Sequence, residues 1–394
     1  MKINSDILTA LDDGKCVLLI MLDLSAAFDT IDHKVLISRL KNDIGMGGKV
    51  LRWFKSYICG RKQAVLVNGV RSRCWDLRYG VPQGSVLGPI LFLIYMAPLG
   101  KILSSLNIGY HFYADDSQIY VTFDVKESDA ALSKVHHVVE VIRQWMTNNF
   151  LCLNDEKTEV LLIASKTNQK KLDISSVHIG DTQITPVNKA KNIGFIFDSL
   201  MDGKAQIQNI CKSGWYQLNR IGRIRDYLDR KSTEMLIHAF VTSRLDVNNS
   251  LLLGLPKTLL KRIQILQNAA ARVVMRLPKR AHITGTLMEL HWLPIQYRID
   301  YKIVLLVFKA LHDLAPDYIS DLLELKDNRN HNLRSNVQRL LVVPKSKRKS
   351  FSDRNFAVMA PSLWNSLPDD IRCCDKLEAF KKLLKTFLFK EAYC

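Results

Sequence analysis

The chain has 394 residues and carries 56 Lys and Arg against 38 Asp and Glu, a formal net charge of +18. That length buries a large core and suits two or three domains, and an apolar content of 47% excludes a disordered tail. The longest apolar runs, CVLLIMLDL and VLGPILFLIYMAPL, are too short or too interrupted by Asp, Gly and Pro to span a bilayer.

With no signal-peptide pattern at the N-terminus, the expectation is an intracellular protein, nuclear or cytoplasmic, neither secreted nor carrying a transmembrane segment. The charge is uneven. Residues 1–200 hold 23 Lys and Arg against 20 Asp and Glu, whereas residues 201–394 hold 33 against 18. A basic half beside a near-neutral half points to a polyanion, nucleic acid first, or to a merely soluble basic surface. The eight cysteines show neither C-x-x-C pairs nor histidines at ligand spacing, which argues against a zinc site and a disulfide framework.

In chain order, VLLIML (17–22) is a continuous apolar run suited to a buried strand that Asp23 ends. DHKVLISRL places Val35, Leu36 and Leu40 on one face of a helix behind an N-cap at Asp32. The stretch 64–89 reads as strand, Asn-Gly turn, strand and a Gly/Pro-rich loop, after which ILFLIYM begins a buried helix. HFYADDSQIY predicts a buried hairpin with Asp115 and Asp116 at its tip.

An amphipathic helix capped near Ser128 follows, with Leu132, Val135, Val139, Ile142 and Met146 at helical spacing. LCLNDEKTEVLLIAS reads as strand, turn and strand, and residues 177–198 add short strands around Gly180-Asp181. Beyond residue 200 the pattern becomes helical; in 259–277, Ile263, Leu266, Ala270, Val273 and Leu277 share a face. The other adjacent aspartates have ordinary explanations: Asp12-Asp13 runs into a turn at Gly14, and Asp369-Asp370 opens a helix after Pro368.

Asp23, Asp115 and Asp116 thus stand at strand ends or turns of one sheet. Carboxylates without His or Cys partners suit a hard cation such as Mg²⁺, and with it phosphoryl chemistry; the plainer alternative is three unrelated surface acids. Phe28 reads as a core aromatic, Lys157 as a turn lysine, and PKSKRKS (344–350) as a nucleic-acid contact, an import signal or a solvated loop.

LDLSAAFDTIDH, GVPQGSVLGPILFLIYM, FYADD and NDEKTEVLLI, in that order, resemble the palm motifs of reverse transcriptases, specifically those of non-LTR, LINE-type retrotransposons. AFVTSRLDVNNSLLLGLP, LQNAAARVV, LHWLPIQYRIDYKI and NFAVMAPSLWNSLPDDIR resemble the C-terminal region of jockey-like and chicken-repeat-like elements. The resemblance implies an α+β fold, an antiparallel palm sheet backed by helices with a mostly helical basic thumb. It places the palm and a remnant of the fingers in 1–200, the thumb in 201–300 and a basic C-terminal region in 301–394. Only 22 residues precede Asp23, so most of the fingers, and the endonuclease domain of full-length elements, are expected to be missing.

The function implied is RNA-directed DNA polymerisation, adding deoxynucleotides to a primer 3′-hydroxyl with two Mg²⁺ ions, for which Mn²⁺ can substitute. Asp23, Asp115 and Asp116 would be the metal ligands, Asp115 the stronger of the pair, with the Leu24 carbonyl an extra ligand. Phe28 would stack under the incoming sugar and reject a 2′-hydroxyl. Gln83 and Gly84 would contact nucleotide and template, Lys157 would act near the leaving phosphates, and NIGFIFD (192–198) would grip the primer end. The partners are an RNA template, a DNA primer and dNTPs, with no membrane; no protein partner follows. The competing reading is a catalytically inactive relic that only binds nucleic acid. A nuclease of the RNase H type is more distant, because nothing after residue 200 supplies a second set of strand-borne acids.

Overall fold

Ile3, Ile7, Leu8 and Leu11 recur at helical spacing and form the buried face of α1 (Lys2–Asp12), and Gly14, at a φ of +84°, closes the turn after it. The computed structural model describes residues 1–180, 182–326, 339–345, 347–348, 351 and 353–394. They divide into two units, Lys15–Ile193, and Met1–Gly14 with Gly194–Cys394.

In the first unit, the unalternating run CVLLIMLDLS becomes β1 (Cys16–Ser25), whose first five residues are all buried, as a central strand covered on both faces requires. The Asp32 carboxylate caps α2 (His33–Asn42) by accepting from the Val35 amide at 2.9 Å. After α3 (Gly48–Ile58) come four short strands, β2 (Arg61–Gln63), β3 (Leu66–Val67), β4 (Val70–Arg71) and β5 (Trp75–Leu77), pairing β2 with β5 and β3 with β4 around the Asn-Gly turn.

The expected buried helix is α4 (Gly88–Ser105), which contains Pro98 in its interior. Leu91, Phe92, Tyr95, Met96, Leu99 and Leu103 are its core stripe, each about 1.5–3 kcal/mol of burial, which outweighs one lost backbone hydrogen bond. Contrary to the expectation from VLGPILFLIYMAPL, this helix is long and apolar enough to cross a membrane by length and composition alone.

β6 (Gly109–Tyr113) and β7 (Asp116–Phe123) form the hairpin, and α5 (Ser128–Asn148) begins at Ser128 without a side-chain cap. NDEKTE is not a turn between two strands: Cys152–Ile163 is one strand, β8, with a bulge inside it. The sheet order is β6-β7-β1-β8, antiparallel throughout, so β1 lies between the Asp115-Asp116 hairpin and the bulged strand. α6 (Lys166–Gln169), β9 (Val177–Ile179), β10 (Thr182–Ile184) and β11 (Lys189–Asn192) complete the unit; Asp181 lies outside the described residues.

The second unit is mostly helical. It contains β12 (Phe195–Asp198), α7 (Lys204–Arg223), α8 (Arg230–Ile237), a π-helical turn at His238–Thr242, α9 (Ser243–Asp246) and α10 (Lys257–Met275). Then follow α11 (Thr284–Glu289), α12 (Ile295–Leu311), α13 (Asp317–Ser320), α14 (Phe356–Asn365), α15 (Asp369–Arg372) and α16 (Leu377–Tyr393).

In α10 the core stripe is Ile263, Leu266, Ala270 and Val274; Val273 is only half-buried, because the 3.6-residue repeat carries the stripe one position further. α7 and α10 approach so closely that a Cβ at Gly214 would overlap Leu266. Phe308 of α12 stacks on Phe380 of α16 at 4.1 Å, with Trp364 of α14 against the same ring. Of the basic run 344–350, Lys347 is tied to Asp12 and Asp13, its Nζ 2.7 Å from Asp13; Ser346, Lys349 and Ser350 lie outside the described residues.

Candidate active site

Asp23 sits where the ladder between β1 and β8 changes register. Met21 pairs with Glu159 and Asp23 with Asn154, so residues 155–158 bulge opposite Leu22 alone. The Thr158 hydroxyl closes the bulge by donating to the Asn154 carbonyl at 2.9 Å. Lys157 rides on it, with Nζ 4.0 Å from the Asp23 carboxylate; both side chains face solvent, at 71% and 43% exposure. A pair so exposed contributes at most about 1 kcal/mol to stability.

On the other side of β1, Tyr113 pairs with Asp116 across the two-residue turn Ala114–Asp115. The hairpin tip is open, not buried as its apolar flanks suggested: Tyr113, Asp115 and Asp116 are exposed, and burial begins one residue later at Ser117, Gln118 and Ile119. The flanking apolar residues pack behind the tip and leave the carboxylates facing outward. Gln118 is anchored from the other direction, its Nε2 donating to Asn192 Oδ1 at 2.6 Å, which ties the start of NIGFIFD to the aspartate strand.

Partial burial pushes the Asp116 carboxyl above its ordinary value, and the negative charges of Asp115 and then Asp23 add to the shift. Asp116 therefore feels like charges from its own turn and from the neighbouring strand. Hard oxygen donors with a surplus of negative charge fit a divalent cation. Yet among the described residues no three His, Cys, Asp or Glu side chains are drawn into a closed ligand set.

The cleft beside Asp115 has a volume of about 480 Å³, and its wall includes Leu24, Phe28, Gln83, Gly84 and Pro89. Two loops are stitched together to build it. The Gly80 amide donates to the Ile31 carbonyl and the Val81 amide to the Phe28 carbonyl, both at 2.8 Å. A His33 ring nitrogen meets the Gly80 carbonyl at 2.8 Å. Gly80 is at a φ of +85°, and a Cβ there would lie 3.0 Å from the Phe28 carbonyl and 3.1 Å from the Asp29 Cα. Phe28 leans on Phe92 of α4 at 5.2 Å, so the ring is part core, part cleft wall.

The structure thus gathers Leu24, Phe28, Gln83, Gly84 and Asp115 around one cleft, with Asp23, Asp116 and Lys157 coupled by charge or contact to its edge. Sequence reasoning passed over Asp29, whose carboxylate accepts from Gln83 Nε2 at 3.1 Å, and His33. It also passed over Ala26 and Ala114, held at φ of +50° and +53°. A left-handed alanine costs roughly 1–2 kcal/mol, and here one follows Asp23 closely and the other directly precedes Asp115. Nothing in an Ala codon or a lone acid announces such roles; the Asp-His pair after Phe28 was the nearest signal.

Residues 3–197 match the family model described as reverse transcriptase (RNA-dependent DNA polymerase). A probable RNA-directed DNA polymerase from transposon BS of Drosophila melanogaster is 25% identical over 304 residues, 73% of this chain and 32% of that protein. The RNA-directed DNA polymerase from mobile element jockey of Drosophila funebris is 27% identical over 207 residues, 51% of this chain and 21% of that protein. The chain spans a third or less of these relatives' length in either alignment. Among solved structures, a telomerase from Candida albicans in complex with a fragment of telomeric RNA matches 80% of this chain and 52% of its own at 14% identity. Its TM-score is 0.39, too low to bear on the site.

Proposed function

Through residues 3–197 the chain belongs to the reverse transcriptase (RNA-dependent DNA polymerase) family, and on that premise we propose that it extends a DNA primer on an RNA template. The observation that supports this reading best is the gathering of Leu24, Phe28, Gln83, Gly84 and Asp115 around one cleft, with Asp116 next to Asp115 at the hairpin tip and Asp23 on the adjoining strand.

The family is generally dependent on divalent metal. Asp23, Asp115 and Asp116, with the Leu24 carbonyl, would hold two Mg²⁺ ions or Mn²⁺ in their place, which supply charge neutralisation for the primer hydroxyl and the leaving pyrophosphate. The remaining work falls to the chain's own residues. Phe28, braced by Phe92 and lining the cleft, would stack under the sugar of the incoming dNTP, so that a 2′-hydroxyl collides with it. Gly84, at a φ of +73° with nothing crowding its Cα, lets the nucleotide approach the backbone, and Gln83 aims its amide from the support of Asp29. Lys157 provides a proton and a positive charge at the side of Asp23.

We assign residues 1–200 to the palm with a remnant of the fingers, 201–300 to a thumb that tracks phosphates without reading sequence, and 301–394 to a basic C-terminal region. The test is metal-dependent incorporation of dNTPs on a primed RNA. Incorporation that Asp115→Asn abolishes supports the assignment; binding of RNA with no incorporation under Mg²⁺ or Mn²⁺ assigns the chain instead to the inactive, nucleic-acid-binding class.

A further inference from the structure

The helical unit holds a smaller cavity of about 240 Å³. Its wall includes Asp246 at the end of α9, Asn249 just beyond, Arg298, Tyr301 and Lys302 on α12, and Lys385 on α16. Arg298, Tyr301 and Lys302 share one face because they are three and four residues apart.

Among the described residues of this wall Asp246 is the single carboxylate, and both its oxygens accept hydrogen bonds. Arg298 Nε donates to its Oδ1 at 2.9 Å and the neighbouring guanidinium nitrogen donates to Oδ2. Asn249, 3% exposed, sends its amide to the same Oδ1 at 3.4 Å. The arginine and aspartate cancel in charge and fix that side of the cavity. What remains is the two ammonium groups of Lys302 and Lys385, both exposed, and the Tyr301 hydroxyl as a neutral donor. The nearby charges acting on Tyr301 are Lys381 and Glu378, which pair with each other at 2.7 Å and add no net charge.

Two lysines lining a cavity whose one described carboxylate is already paired are complementary to an anion, and a space below the roughly 300 Å³ of sites for drug-sized ligands suits a single small group. We propose that this cavity is a phosphate-binding site. The phosphate comes either from the backbone of a nucleic-acid strand or from a small phosphorylated molecule. The backbone source rests on the nucleic-acid function proposed above; the anion site itself does not.

The test compares the full chain with a Lys302→Gln/Lys385→Gln variant, its Arg/Arg counterpart, and Lys390→Gln as a control. Lys390 is exposed on α16 but five residues from Lys385, about 140° around the helix. Binding of a labelled single-stranded oligouridylate is followed against salt, and binding of inorganic pyrophosphate by calorimetry, with melting curves confirming the fold. For a backbone phosphate, the Gln/Gln variant binds the oligonucleotide several-fold more weakly, the slope of log affinity against log salt flattens by about 0.7 per lost contact, and Arg/Arg restores both. For a small molecule, pyrophosphate binding is lost and oligonucleotide affinity is unchanged. The site is overturned if neither ligand's affinity moves, or if Lys390→Gln has the same effect as the double variant. Neither readout needs catalysis, so a chain inactive in primer extension still gives an answer.

Discussion

The ammonium of Lys157 stands 4.0 Å from the carboxylate of Asp23 because four residues of β8 bulge opposite Leu22. An exposed pair at that distance contributes little to stability, so the bulge is better explained by where it puts the lysine. Lys157→Ala should lower kcat for primer extension by about 10²-fold while changing unfolding free energy by less than about 0.5 kcal/mol. Steady-state incorporation rates and urea titrations of the same preparation check both halves. A variant that loses stability but not rate contradicts the role.

Gly80 joins the Phe28 loop to the Gln83 loop, and its left-handed backbone and crowded Cα leave no room for a methyl group. Gly80→Ala should destabilise the first unit by about 1–3 kcal/mol and raise KM for dNTP, since Gln83 and Gly84 shift away from Phe28. Denaturant midpoints together with nucleotide titrations test this.

Ala114 carries the opposite expectation. Its φ of +53° places it in a region that glycine occupies without strain. Ala114→Gly should therefore raise stability by up to about 1 kcal/mol. It should also lower the incorporation rate, because the turn that fixes Asp115 gains freedom. Thermal melting and single-turnover incorporation would register the two changes with opposite signs.

Asp300, on α12, predicts a pH effect remote from the cleft. Burial pushes its carboxyl up to about 6, against an ordinary 3.8, with a hydrogen bond from Gln296 opposing the shift. In that window the folded chain keeps a proton that the unfolded chain has released. Stability therefore falls as pH rises from about 4 to about 6 and does not recover above it, by at most about 3 kcal/mol and less where solvent reaches the group. Asp300→Asn should raise the melting temperature near pH 8 and leave it unchanged below pH 4. Equal shifts at both values would contradict the assignment.

How far the sequence disclosed this architecture depended on how local each determinant is. β1, α2, the hairpin and α5 were legible because apolar runs, an Asp cap and helical spacing are local signals. The length of α4 was not legible, because the cost of Pro98 is local while the burial of Leu91, Phe92, Tyr95 and Leu99 that offsets it depends on what the helix packs against. The bulge in β8 looked like a turn, since NDEKTE is polar and only the partner strand reveals that the chain stays extended. Val273 and Val274 were exchanged by one position of drift in a long helix. At the site, the aspartates were visible as acids among apolar neighbours; the openness of the tip, the strain at Ala26 and Ala114, and the support of Gln83 by Asp29 depend on contacts between segments distant in sequence.

Asp23, Asp115 and Asp116 are proposed as the carboxylate site of a polymerase working on an RNA template. The most direct test measures Mg²⁺-dependent extension of a labelled DNA primer annealed to RNA, by the full chain and by Asp115→Asn. Extension by the native chain, abolished in the variant with RNA affinity and melting temperature preserved, is the predicted result. Extension that survives Asp115→Asn would contradict it.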